Sequence, residues 1–99
     1  MEIELQSHIE KVNDICTLID CGGEYLPKVL SYLPEINKTI GIILNCFEVN
    51  EQFVAQVLRD IVYGVEHSDA VILKDTLQYG LLEIYYYVSE ECMNEESYE

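Results

Sequence analysis

The sequence has few cations: five Lys and Arg stand against nineteen Asp and Glu, a formal charge of −14. Phosphate backbones and anionic lipid surfaces attract proteins through basic patches, so direct nucleic-acid binding and membrane-surface binding are both disfavoured. Long apolar runs are missing too. The longest uninterrupted ones are about four residues, far below the roughly 20 needed to span a bilayer. Met1 leads into Glu2, Ile3 and Glu4 and not into a basic n-region followed by an apolar stretch, so no signal peptide is expected and the protein is assigned to the cytoplasm.

Four cysteines occur, at 16, 21, 46 and 92, with no C-x-x-C pair. In a cytoplasmic protein they are expected to stay reduced, with Cys16 and Cys46 serving as small buried hydrophobes in apolar stripes. Cys16, Cys21 and His8 do not have the spacing of a structural zinc site. No EF-hand loop and no helix-borne Glu-x-x-His pattern is present. Also absent are G-x-S-x-G, a P-loop, H-E-x-x-H and a glycine-rich dinucleotide turn. The expectation is therefore a non-enzyme with no catalytic residue, no metal site and no cofactor.

What is present is helical periodicity. Apolar residues make up 49% of 99 residues, enough for one core. Fourteen of the acids are Glu, the better helix former. Leu5, Ile9, Val12, Cys16 and Ile19 form one stripe, broadened by Ile15 and Leu18, which predicts a helix from Glu2 to about Asp20. Glu2 and Glu4 fall in its first turn, and Gly22-Gly23 ends it. Leu26, Leu30, Leu33, Ile36, Ile40, Ile43 or Leu44, and Phe47 predict a second helix over 24–48. Pro27 suits its first turn, whereas Pro34 should kink it or split it in two.

Asn50 is placed to cap a third helix over 51–66, with Val54, Val57, Leu58, Ile61 and Val65 as its stripe. Ser68 or Asp69 caps a fourth helix reaching Met93. Its core stripe is Leu73, Leu77, Leu81, Ile84 and Val88, widened by Val71, Leu82 and Tyr85. Residues 85–87 are all tyrosine. Successive helical residues turn by about 100°, so the three cannot all face inward.

Short links between such helices favour antiparallel neighbours. The fold expected is all-α, an antiparallel up-down four-helix bundle, with residues 1–93 as a single domain and 94–99 as an acidic flexible tail. Mid-helix glycines at 41, 64 and 80 admit two readings: close approach of two helices, or a flat spot where a partner docks.

Function is expected on the outer face of the fourth helix. Tyr79, Glu83, Tyr86 and Glu90 repeat at spacings of four, three and four, an aromatic and acidic strip suited to binding a protein partner or a second copy in a homodimer. The alternative is an acidic mimic of nucleic acid that inhibits a DNA-binding protein.

The run Asp69, Leu73, Asp75, Leu77, Tyr79, Leu81, or D-x-x-x-L-x-D-x-L-x-Y-x-L, resembles the C-terminal helix of small all-helical domains of Gram-positive bacteria. Gly80 replaces the acid usual after Tyr79 there, and Thr76 replaces a small apolar residue. The resemblance implies a bacterial helical bundle and brings no catalytic residue with it. In size, charge and helical content the chain is also similar to export chaperones, which bind amphipathic helices of their clients.

Overall fold

The computed structural model describes the backbone of residues 5–97 and the side chains of residues 5–91. Glu2 and Glu4, assigned to a first turn, and Tyr98 and Glu99 of the assigned tail lie outside the described residues. The described residues form four helices and no strand. These are α1 (Leu5–Asp20), α2 (Leu26–Cys46), α3 (Glu51–Glu66) and a fourth rod. The rod consists of α4 (Ala70–Thr76), a π-helical turn (Leu77–Leu81) and α5 (Leu82–Ser97), running on without a gap. The helical backbone thus continues through Ser97.

The turns explain where the helices stop. After α1, Gly22 takes φ +74°. The Gly23 amide then donates to Leu18 O at 2.9 Å and the Gly22 amide to Ile19 O at 3.1 Å, which closes a Schellman motif. The same motif ends α3, with Ser68 where glycine is usual. Ser68 sits at φ +50°, its amide donates to Val65 O, and the Asp69 amide donates to Gly64 O at 2.9 Å. Asp69 also caps α4, its side chain accepting from the Ile72 amide at 3.1 Å. Asn50 does the same for α3, accepting from the Phe53 amide at 3.1 Å.

Helix α2 crosses Pro34 unbroken, so it does not split there. Proline leaves the carbonyl four residues back without a donor. Leu30 and Pro34 both lie on the exposed side of α2, where water can serve that carbonyl.

The core takes Leu5, Ile9, Val12, Ile15 and Cys16 from α1, and Val54, Val57 and Ile61 from α3. From the fourth rod it takes the whole expected stripe, together with Leu82 and Tyr85. The expectation for α2 needs correction. Val29, Tyr32, Ile36, Thr39, Ile40 and Ile43 are its buried residues, whereas Leu30 is 52% exposed; of the pair Ile43 or Leu44 it is Ile43 that is buried. Ile36, Ile40 and Ile43 of the aliphatic stripe are buried, but Tyr32 and Thr39 also turn inward, to hydrogen-bond His8. Val71, assigned to the widened core of the fourth helix, is 71% exposed. Cys46, assigned to the core, is exposed in the last turn of α2 although it keeps the register of buried Thr39 and Ile43.

Helix α3 packs on α4 and on the π-helical turn, and α1 packs on α4, the π-helical turn and α5. Two glycines permit the closest of these approaches. A Cβ at Gly64 would lie 2.7 Å from Leu73 Cγ, and one at Gly80 would lie 2.9 Å from Val57 Cγ2. Gly41 faces open space, with nothing within 4 Å of such an atom. Long side chains bridge α1 and α2: Lys11 pairs with Glu35 at 2.9 Å, and the His8 and Tyr32 rings stack.

Candidate functional site

Three exposed aromatic rings, those of Phe53, Tyr79 and Tyr87, come together beside the corner where the chain turns from α2 into α3. Phe47 is extended, with φ −133°, and its amide still donates to Ile43 O at 2.9 Å. The chain then passes through Glu48 and Val49 to the Asn50 cap. The Tyr87 hydroxyl on α5 donates to Glu48 O at 3.0 Å and ties this corner to the fourth rod.

Between corner and rod lies an open groove of about 570 Å³. Its floor is Val54 and Ile84, both buried. Its walls include three exposed aromatic rings, those of Phe53, Tyr79 and Tyr87. Among the described residues, its charged lining consists of two carboxylates, Glu48 and Glu83. The volume lies within the roughly 300–1,000 Å³ typical of binding pockets. Tyr79 stands 66% exposed on the π-helical turn, where the Leu82 amide reaches back five residues to Leu77 O. Single π-turns inside α-helices recur at functional sites, because the extra residue redirects the side chains around it.

Of the four residues singled out from spacing, Tyr79 and Glu83 line the groove. Tyr86 and Glu90 are exposed on the same rod but do not line it. Sequence reasoning missed Phe53, Tyr87 and Glu48. The Asn50 cap signal marks where α3 begins and could have placed Phe53 in its first turn. Nothing in the sequence pairs Tyr87 with Glu48 across 39 positions.

A second feature is buried. His8 Nδ1 lies 2.6 Å from the Tyr32 hydroxyl, and Nε2 lies 3.2 Å from Thr39 Oγ1. The Tyr32 hydroxyl also donates to His8 O at 3.3 Å. Tyr85 packs its ring against His8, and its fully buried hydroxyl makes no hydrogen bond of good geometry. Burial pushes the Tyr32 phenol up to about 12 and the Tyr85 phenol up as well. Both remain neutral at physiological pH, and the cluster serves to hold α1, α2 and α5 in register. Burial likewise pushes the Cys16 thiol up, the direction opposite to activation as a nucleophile.

Among the described residues no group of three His, Cys, Asp or Glu side chains is placed to hold a metal ion. No helix among them is long and apolar enough to cross a membrane. A shallower apolar surface on the outside of α3 includes Leu58, Val62 and Tyr63. Comparison with protein-family models, with curated proteins and with solved structures gives no match to this chain, so its functional reading rests on geometry and chemistry alone.

Proposed function

We propose that this protein is a non-enzymatic, cytoplasmic helical interaction module: an antiparallel up-down four-helix bundle that presents the groove end of its fourth rod to a protein partner. Pairings between helices support the antiparallel arrangement. From Val57 to Gly64 along α3, the facing residue falls from Gly80 to Leu73. From His8 to Asp20 along α1, it falls from Tyr85 to Lys74.

The observation that carries the interaction reading is the groove: exposed aromatic rings around a buried apolar floor. Aromatic residues are enriched where proteins meet, because they bring large contact area with few rotatable bonds. An acidic mimic of nucleic acid would instead present carboxylates in rows over one continuous face. Here the two groove carboxylates flank apolar surface, which favours a protein partner.

The test is photo-crosslinking in the cell of origin, with a photoreactive residue in place of Tyr79 and, as control, in place of the exposed Lys28. A discrete adduct with another protein at position 79 and not at 28 is the expected result. No adduct at 79, or the same adducts at both positions, would overturn the proposal.

A further inference from the structure

We propose that the occupant of the groove is one basic amphipathic helix, its apolar side chains seated among Phe53, Tyr79 and Tyr87 and its Lys or Arg residues paired with Glu48 and Glu83. This inference rests on the interaction-module reading and names the partner's chemistry.

Shape comes first. On the fourth rod, Tyr79, Glu83 and Tyr87 recur every four residues, so the groove wall runs for about 12 Å, or two helical turns. An amphipathic helix places apolar side chains at i, i+3 or i+4, and i+7, which matches that length. The groove is open along its side, which suits a rod more than an enclosed small molecule.

Charge selects among helices. No Lys or Arg lines the groove, and the two charged residues that do, among the described ones, are both carboxylates. Lys11 and Lys74, two of the chain's five cations, are committed elsewhere, to Glu35 and Asp20. Two carboxylates of like charge beside an apolar floor favour a ligand that brings its own cations.

The same balance disfavours a second copy of this chain. Each copy carries a formal charge of −14, and a symmetric contact here would bring the Glu48 and Glu83 carboxylates of both copies into one interface with no Lys or Arg of the groove to offset them. The residues outside the described ones, at 1–4 and 98–99, contribute glutamates and no Lys or Arg, so they do not supply the missing cations.

The chain has no tryptophan, so a tryptophan on a peptide reports binding without background. The probe is a synthetic helical peptide with Leu at i, i+3, i+4 and i+7, Lys elsewhere and one Trp on the apolar face. Two controls accompany it: a shuffled peptide of identical composition with no apolar face, and an analogue with Glu in place of Lys. The protein variants are Phe53→Ala with Tyr79→Ala, Glu48→Gln with Glu83→Gln, and Val62→Ala with Tyr63→Ala as a remote control. All six positions are exposed, and thermal melts verify that each variant is folded.

The expected result is saturable binding of the Leu/Lys peptide alone, weakened roughly tenfold or more by either groove pair and unchanged by the remote pair. Binding should also weaken with salt. Equal binding of the shuffled peptide would reduce the effect to bulk charge and overturn the inference. Equal binding of the Glu analogue would remove the requirement for cations, and loss of binding only in the remote variant would move the site to α3. Either would overturn it. An adduct at position 79 without peptide binding would sink the basic-helix inference and leave the interaction module standing. Absence of both would remove the two together.

Discussion

The Tyr87 hydroxyl donates to the Glu48 carbonyl at 3.0 Å, and at the opposite end of the molecule the Tyr25 hydroxyl donates to the Ser68 carbonyl at 3.2 Å. Each bond ties an interhelical corner to a residue distant in sequence, Tyr87 within α5 in the first and the N-cap of α2 in the second. The first also shapes the groove, because it holds Glu48 and Val49 against α5. Replacing Tyr87 with Phe keeps the ring and removes the tie. The expected cost is about 1 kcal/mol or less for a solvent-exposed bond, with faster amide exchange at residues 47–50. Unaltered exchange there would mean that the corner is held by packing alone.

The three mid-helix glycines should respond differently to alanine. At Gly64 and Gly80 the new methyl meets Leu73 or Val57, and overpacking of this kind costs about 1–3 kcal/mol. At Gly41 the methyl enters open space, and the better helix propensity should stabilise by up to about 1 kcal/mol. Denaturant melts of the three variants check this. A stabilised Gly80→Ala protein would show that α3 and the π-helical turn can separate without loss.

Ser68 is the one described residue other than glycine with positive φ. A left-handed backbone costs an L residue about 1–2 kcal/mol, so Ser68→Gly should stabilise by about 1 kcal/mol and raise Tm by about 4–8 °C for a domain of this size. Asp69→Ala should do the opposite, losing a cap worth about 1 kcal/mol. A lower Tm for Ser68→Gly would count against the Schellman geometry at the end of α3.

The buried phenols set an alkaline limit. A tyrosine in the unfolded chain ionises near pH 10, whereas burial lifts Tyr32 to about 12 and raises Tyr85 too. The folded state therefore holds these protons more tightly than the unfolded chain does. Their contribution is complete below about pH 10 and is lost as pH climbs through the folded value of Tyr32, about 12. Part of the tyrosinate absorbance should appear in step with the loss of helical circular dichroism. Tyr85→Phe removes a buried hydroxyl that makes no hydrogen bond of good geometry and should shift that unfolding to higher pH. Full tyrosinate absorbance with the helices intact would contradict the placement of both rings.

Much of the fold was legible in the sequence. The Asn50 and Asp69 caps and the Gly22-Gly23 stop place helix ends through local chemistry, and α3 falls at Glu51–Glu66 as its periodicity indicates. In the fourth rod every aliphatic residue of the expected stripe is buried, and of three adjacent tyrosines only Tyr85 turns inward. Apolarity alone misplaces Leu30 and Val71, because which face of a helix is buried depends on what the neighbouring helix offers. For α2 the offer is His8, which takes Tyr32 and Thr39. Cys46 keeps the register of Thr39 and Ile43 but is exposed in the last turn of α2. The π-helical turn, with its i to i+5 bond, has no sequence signal beyond Gly80, and the groove needs contacts between α5 and the corner before α3 that no local pattern encodes.

The most direct test is an amide chemical-shift map of the isotope-labelled protein titrated with the Leu/Lys peptide. If the groove is the docking site, the largest changes will centre on residues 48–54 and 79–87 and will disappear in the Phe53→Ala, Tyr79→Ala protein. Changes spread over the exposed acids of α1 and α2, or centred on Leu58, Val62 and Tyr63, would contradict it.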